Sequence, residues 1–281
     1  MTNDTTAKSR IIMASLCCLA GILSITLIPK FGGMAMDSVM LVGWSKIAES
    51  GAIAPKMVSF FFPAWMGVSI IAGVVLILLS LPVYRGEYWG RPLAMGMLAI
   101  PCIAAAYFFG PIMVTSRQLA PQAVIMLAIG LIPYFLILLL ERSSIRDRLI
   151  NFLVFLLLGI MSAASFTNGF SSLHDVLYRP SPIVLTSVTE LALGVTIVWM
   201  GIILVLCGLP LLAARVFNGW LLTIIGTSSI LVGTMTFYLT KQNQFYLASL
   251  SVTLLTLLLL LMPSIKERLI GPSLNTSNSI N

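Results

Sequence analysis

The sequence predicts an all-α polytopic membrane protein, in which eight transmembrane helices form a parallel tandem repeat of two four-helix units. Of its 281 residues, 59% are hydrophobic and only 9% are charged, and the mean hydropathy is +1.05. This composition excludes a soluble globular domain. The repeat is visible directly, since GVVLILLSLP at 73–82 returns as GIILVLCGLP at 201–210, and SIRDRLI at 144–150 returns as SIKERLI at 264–270. The predicted units are residues 1–148 and 149–281.

Eight segments are long and apolar enough to cross a bilayer. A spanning helix needs about 20 apolar residues, because the hydrocarbon is about 30 Å thick and each helical residue rises about 1.5 Å. We interpret the first segment as a retained helix rather than a cleaved signal peptide, because its duplicate is internal. The segments are 11–29, 57–82, 93–115, 120–140, 149–166, 183–213, 217–239 and 244–262.

The duplication also aligns single positions of the two units. Pro55 matches Pro182, and proline is favoured in the first turn of a helix, so the second helix of each unit is predicted to start and stop on proline. An even number of spans per unit predicts parallel copies related by a pseudo-twofold axis along the membrane normal. The other matched pairs are Gly21 with Gly159, Ile22 with Ile160, Ser24 with Ser162, and Asp37 with Asp175.

Basic residues predict the orientation, since lysine and arginine near helix ends stay in the cytoplasm. With the N-terminus inside, ten of the 16 basic residues fall on the cytoplasmic side. We therefore expect an integral protein of a prokaryotic plasma membrane with both termini in the cytoplasm. The net charge of +7 is attributed to topology and to contact with membrane lipids, not to nucleic-acid binding.

The sixth predicted helix carries a stripe of small residues. Ser187, Gly194, Gly201 and Gly208 recur every seven residues, and Gly73 with Ser80 repeats the last two in the first unit. Small stripes let helices approach closely in lipid. We interpret this stripe as a packing seam within or between units, and the alternative is a ligand slot.

Glu190 is the acid that lies well inside a predicted span, and it flanks this stripe. A carboxylate inside a membrane is a candidate for ligand or proton binding. The alternative is an interfacial acid near the outer edge of the hydrocarbon. Its aligned position in the first unit is Phe62, so the copies differ there.

The outer loops hold the remaining polar candidates. Residues 36–50 have helical spacing of apolar side chains and predict an amphipathic helix on the membrane surface, with a shorter version around Leu173, Val176 and Leu177. Asp37 and Asp175 are interpreted either as a pseudo-symmetric pair or as caps of these surface helices.

SSLHD at 171–175 brings Ser172, His174 and Asp175 close in sequence, but neighbours on one helical turn diverge, which argues against a catalytic triad. His174 is the only histidine, so neither a bis-histidine haem nor a histidine-rich metal site is predicted. The four cysteines show no CxxC spacing and are read as packing residues. No catalytic residue set and no cofactor is predicted, although a bound lipid or quinone fits the composition.

The stretch TELALGVTIVWMGIILVLCGLPLLAARVF, at 189–217, resembles the second helix of DoxX-like small membrane proteins. The shared features are an acid followed by a glycine-spaced apolar run and a basic boundary, and the matching residues are Glu190, Gly194, Gly201 and Gly208. The resemblance implies four-helix units, some of which associate with quinone-linked or redox complexes. The fused double unit and the phenylalanine at 62 depart from that pattern.

Two functions are therefore expected. The first is a non-catalytic subunit or assembly factor of a larger membrane complex, for example a redox- or quinone-linked one, whose partners are other membrane-protein subunits. The alternative is a transporter or binding protein for a small apolar molecule, such as a lipid or quinone, with a site between the two units near Glu190. The scarcity of intramembrane polar groups favours the first.

Overall fold

The computed structural model describes residues 7–50, 55–116, 121–140, 144–178 and 182–270. These residues form eight long helices and one short one. In chain order the helices are α1 Ala7–Ser50, α2 Pro55–Arg85, α3 Gly90–Ser116, α4 Pro121–Leu139, α5 Ile145–Tyr178, α6 Pro182–Ala213, α7 Phe217–Lys241, α8 Gln244–Leu261 and α9 Pro263–Ile270. Each of α1 to α8 contains a segment long and apolar enough to cross a membrane. The predicted all-α polytopic membrane fold with eight spans is confirmed.

Local chemistry sets several of the helix ends. Ser144 caps α5, because its Oγ accepts a hydrogen bond from the Asp147 backbone N–H at 3.1 Å. Gln242 closes α7 in the left-handed conformation, and Asn243 caps α8 by accepting from the Phe245 N–H at 3.0 Å. The connection from α7 to α8 is therefore only two residues long.

The second helix of each unit, α2 or α6, starts at the predicted proline but does not stop at the predicted one. α2 starts at Pro55 and α6 at Pro182, as predicted. Each helix then continues for three residues past the proline that was expected to stop it, Pro82 or Pro210, and ends at Arg85 or Ala213. A proline removes one intrahelical hydrogen bond, which a helix packed among neighbours in a membrane tolerates.

The predicted surface helix at 36–50 is wrong as a separate element. α1 continues through Pro29 to Ser50 without a break, for the same reason that the second helices pass their prolines. The side chains of α1 beyond Met40 lie outside the described ones. The shorter version in the second unit is also part of one long helix, α5, and Leu173 and Val176 pack against the core rather than on a surface.

The core runs through both units. One cluster of buried apolar side chains extends from α1 and α2 to α5, α6 and α7, and a second, aromatic-rich cluster joins the other half of the first unit to Phe170 of α5. α1 packs most extensively against α2, and α6 against α7. Large apolar side chains such as Leu78, Ile71 and Leu239 point outward, as they do on helices that face lipid.

Two charged contacts tie the ends of the second unit. At the end of the bundle that carries Arg10, Arg268 Nη1 of α9 donates to Asp147 Oδ1 of α5 at 2.6 Å. At the opposite end, Lys241 of α7 binds Asp175 of α5. α5 is thus held at both of its ends by a cation from the C-terminal half of the unit.

Candidate functional site

The two units use their matched glycines differently. In the first unit, a Cβ atom added to Gly21 would lie 2.6 Å from the carbonyl oxygen of Gly73, so α1 and α2 are in direct backbone contact. The equivalent of Gly73 is Gly201, and it faces α7 instead, with an added Cβ 2.7 Å from the carbonyl oxygen of Gly226. Gly159, the equivalent of Gly21, has no helix packed against it, since an added Cβ there would meet nothing within 4 Å among the described residues.

The space beside Gly159 belongs to a cavity between the two units. Its volume is about 200 Å³, and its walls are formed by α3 and α4 of the first unit and by α5 and α6 of the second. Gly159 and Ile160 lie on the outer surface of the bundle as well as in the cavity wall. The cavity therefore opens sideways, toward the region that lipid chains occupy around a membrane protein.

The cavity wall is almost entirely apolar, with aromatic side chains such as Phe109 and Phe155 among its residues. Ser162 also lines it and is only 3% exposed, and its Oγ has no hydrogen-bond partner among the described residues. Cys102 lines it too, with its Sγ 3.4 Å from the Leu98 carbonyl oxygen. The site can thus hold an apolar group and offer it the hydroxyl of Ser162.

A polar cluster lies at the Asp175 end of the second unit. Lys241 Nζ binds the Asp175 carboxylate and also donates to Ser172 Oγ at 3.3 Å and to Tyr246 OH at 3.2 Å. The Tyr246 and Ser172 hydroxyls are 3.4 Å apart. Buried His174 adds Nδ1 at 3.7 Å from Asp175 Oδ1. The lysine and the aspartate balance each other's charge, which makes this cluster a clamp between α5, α7 and α8.

The structure brings together some of the sequence candidates and separates others. Ser172 and Asp175 converge on Lys241, although neighbours on one turn were expected to diverge, because a long lysine side chain from another helix reaches both. Asp37 lies within α1 and is exposed, so it neither caps a helix nor shares the environment of Asp175. Asp175 likewise lies inside α5, which makes the capping interpretation wrong for both.

The small-residue stripe of α6 packs within its own unit. Added Cβ atoms on Gly194 and Gly208 would lie 2.9 Å from the Phe237 ring and 2.6 Å from Thr223 Oγ1, both on α7. Ser80 donates to the Ile77 carbonyl oxygen of its own helix at 2.6 Å. The side chain of Ser187 lies outside the described ones.

Glu190 lies away from the cavity. It is an exposed residue of α6, and it does not line the space between the units. Its aligned residue, Phe62, is fully buried and stacks on Phe108 with ring centroids 4.2 Å apart.

Several residues that matter for these sites were overlooked as site residues. Gly159 and Ser162 were predicted only as matched positions of the duplication, and Lys241 was not predicted as a site residue. A signal for the lysine was present, since Lys241 lies among the four residues that separate two predicted spans, near the start of the next helix. No sequence signal shows that Gly21 is covered and Gly159 is not. The difference arises because Gly73 packs against Gly21, whereas its equivalent, Gly201, packs against α7.

Metal ligands are sparse. Among the residues that the structure describes, no three histidine, cysteine, aspartate or glutamate side chains group closely enough to hold a metal ion. All four cysteines are free, and Cys207 is exposed.

Comparison of the chain with protein-family models, with curated proteins and with solved structures finds no match. The DoxX-like resemblance of residues 189–217 therefore stays a prediction, and the chain is described by its own geometry as an integral membrane protein with eight apolar helices.

Proposed function

We propose that this protein binds a small apolar molecule, a lipid chain or a quinone, in the cavity between its two four-helix units. The observation that supports the proposal is the cavity itself, of about 200 Å³ and with an apolar wall. An engineered apolar cavity of about 150 Å³ stays dry and takes up benzene, so a space of this size and polarity accommodates a ring or a short stretch of chain.

The lateral opening at Gly159 and Ile160 favours a ligand that arrives from the membrane. An amphiphile that is already dissolved in the bilayer can insert its apolar part there without crossing water. The buried hydroxyl of Ser162, which lacks a partner among the described residues, favours a ligand with a hydrogen-bond acceptor, such as a quinone carbonyl or an ester oxygen. The proposed site therefore lies away from Glu190, where the sequence analysis had placed it, and its role is to bind a ligand rather than to catalyse a reaction.

The test compares two glycines that both have open space around them. Gly159→Leu fills the cavity mouth, whereas Gly33→Leu adds the same side chain on α1, where an added Cβ also meets nothing within 4 Å. Each variant is purified in nanodiscs formed from native membranes, and its co-isolated lipids and quinones are quantified by mass spectrometry. We expect Gly159→Leu to lose a specific apolar molecule at least several-fold, and Gly33→Leu to retain it. Equal retention by both variants contradicts the proposal.

The hydroxyl has its own matched pair. Ser162→Ala removes the cavity hydroxyl, and Ser24→Ala removes its buried counterpart in the first unit, which does not line the cavity. We expect only Ser162→Ala to weaken retention of the ligand. Glu190→Gln should leave the amount of bound ligand unchanged. A loss of ligand in this variant would instead indicate a binding site near the Glu190 carboxylate.

The second candidate is a non-catalytic subunit or assembly factor of a larger membrane complex, for example a redox- or quinone-linked one. The favouring observation is that Glu190 lies on an exposed apolar face of α6 with Leu193 and Met200, where a partner helix could satisfy the carboxylate. The glycine stripe no longer supports this candidate, because α7 already occupies it. Comigration with other subunits after gentle detergent extraction is expected, and a chain that purifies alone at full yield contradicts it.

We also propose that both termini face the cytoplasm of a prokaryotic cell. The support is the distribution of the basic residues between the two sides of the membrane. Single cysteines placed at Ser144 and at Gln242, in a background without the native cysteines, should be labelled by an impermeant reagent from opposite sides of the membrane. Labelling of the Ser144 position from outside intact cells contradicts the orientation.

A further inference from the structure

One face of α5 carries an apolar stripe that begins at an arginine. Its members recur at alternating intervals of three and four residues, which is the spacing of one helical face. They are Arg146, Leu149, Leu153, Leu156, Ile160 and Ala163. Leu149, Leu153 and Ile160 are 60%, 48% and 47% exposed, so the described helices leave much of this face uncovered.

The stripe lines two spaces in succession. Arg146 and Leu153 belong to an open surface groove, whose described lining residues are all on α5. Leu156 and Ile160 belong to the wall of the cavity between the two units. Leu153 and Leu156 are about 4.5 Å apart along the helix axis, so the groove ends where the cavity begins. Together they form one track, called here the α5 track, which extends from Arg146 to Ala163.

The charge of Arg146 is not compensated by a described neighbour. Arg146 is exposed and makes no ion pair with another residue that the structure describes. The adjacent acid, Asp147, is already bound by Arg268 at 2.6 Å. At this end of the bundle, nine of the described residues are basic, whereas only Glu87, Asp147 and Glu267 are acidic. The start of the α5 track is therefore a favourable position for an anion.

The depth of the cavity matches the length of one lipid leaflet. Ten residues separate Arg146 from Leu156, which corresponds to about 15 Å along the axis. This is half of the hydrocarbon thickness of about 30 Å. A phospholipid with its phosphate beside the Arg146 guanidinium, which can bind a phosphate through two parallel hydrogen bonds, thus places the end of an acyl chain at the cavity.

We propose that the α5 track binds an anionic phospholipid, with its phosphate on Arg146 and one acyl chain extending along the groove into the cavity. The inference rests on the proposed function and names the ligand class. An anionic lipid is favoured over a zwitterionic one, because the headgroup of the latter brings its own cation to an end of the bundle that is already basic. It is favoured over a quinone, because a neutral ring does not use the arginine.

The first test measures the preference for phosphatidylglycerol over phosphatidylcholine with the same acyl chains. The full-length protein is delipidated in detergent and titrated with each lipid, and the bound lipid is counted by native mass spectrometry. We expect Arg146→Gln to weaken binding of phosphatidylglycerol about fivefold, the contribution typical of one basic residue at an anionic surface, and to leave phosphatidylcholine unchanged.

Arg85→Gln is the matched control, because Arg85 is an exposed arginine at the same end of the bundle that does not line the groove. This variant should retain the preference. Equal losses in Arg146→Gln and Arg85→Gln indicate a general attraction to the basic surface and overturn the inference, as does a wild-type protein without a preference.

The second test blocks the α5 track. Leu153→Trp places a large side chain between the groove and the cavity, whereas Leu78→Trp places it on an exposed position of α2, 68% exposed and at a similar depth. We expect only Leu153→Trp to lose phosphatidylglycerol several-fold. Retention by both variants overturns the inference. Loss of a second polypeptide from Leu153→Trp, with lipid binding unchanged, assigns this face to a protein partner and also overturns it.

Gly159→Leu separates the inference from the proposed function. If Gly159→Leu loses an apolar molecule that Arg146→Gln and Leu153→Trp retain, the cavity binds a ligand of another class, and only the inference fails. If Gly159→Leu keeps the phosphatidylglycerol that Arg146→Gln loses, the chain does not enter the cavity, and again only the inference fails. If Gly159→Leu loses no molecule of any class, the proposed function fails, and the inference fails with it.

Discussion

Arg268 Nη1 lies 2.6 Å from Asp147 Oδ1, so the two copies of one repeated heptapeptide are bound to each other. Asp147 belongs to SIRDRLI at the start of α5, and Arg268 belongs to SIKERLI in α9. The duplication thus supplied both partners of an ion pair that holds the short C-terminal helix against the bundle.

Reversing the charge at this pair should lower stability in a salt-dependent manner. Arg268→Glu places two acids together, and we expect a lower melting temperature at low salt and a smaller loss at high salt, because salt screens exposed charges. Adding Asp147→Arg should restore part of the loss. Arg146→Glu, which changes an exposed charge on the same turn, is the control, and an equal loss there would refute a specific pair.

Gly201 should tolerate no side chain. An added Cβ lies 2.7 Å from the Gly226 carbonyl oxygen, and backbone cannot move aside as a flexible side chain can. We expect Gly201→Ala to cost about 1–3 kcal/mol, the range typical of overpacking. The measurement is unfolding in mixed micelles, with Gly33→Ala as the open-space control. Equal stability of the two variants would contradict the α6–α7 seam.

Gly21 and Gly159 are equivalent in the repeat but should respond in opposite ways to leucine. Gly21→Leu drives a side chain into the Gly73 carbonyl oxygen and Ile77, so misfolding or a large loss of melting temperature is expected. Gly159→Leu enters open space and should keep or raise the melting temperature, since cavity filling is commonly stabilising. Similar losses for both variants would show that α5 is not open at this position.

Removal of Lys241 should destabilise the contact of α7 with α5. Lys241→Met leaves the Asp175 carboxylate, which is 20% exposed, without its cation. The expected loss is below the roughly 3–5 kcal/mol measured when fully buried pairs are broken. Asp175→Asn in the same chain should recover much of the loss in a thermal unfolding assay. A double variant that is less stable than Lys241→Met would indicate that the aspartate has another role.

Composition and segment length were enough to predict eight spans, because the bilayer imposes both on any chain that crosses it. Helix ends were predictable where one residue decides them, as at Pro55 and Pro182. The continuation of α1 through Pro29 could not be predicted, because the packing of neighbouring helices decides whether a proline within a span breaks the helix. The candidate site could not be predicted for the same reason. Gly21 and Gly159 both begin the pattern Gly-Ile-x-Ser, and their difference depends on which neighbouring helix the glycine face of α2 or of α6 contacts.

The length of α1 has a consequence for what can touch this protein from outside. At about 1.5 Å per residue, its 44 residues extend about 66 Å. Even at a tilt of about 40°, near the upper limit for transmembrane helices, about 50 Å remain along the membrane normal. A bilayer with its headgroups is about 40–45 Å thick. Some of α1 must therefore extend beyond the headgroups, where an antibody fragment could bind it without contacting the helices within the lipid.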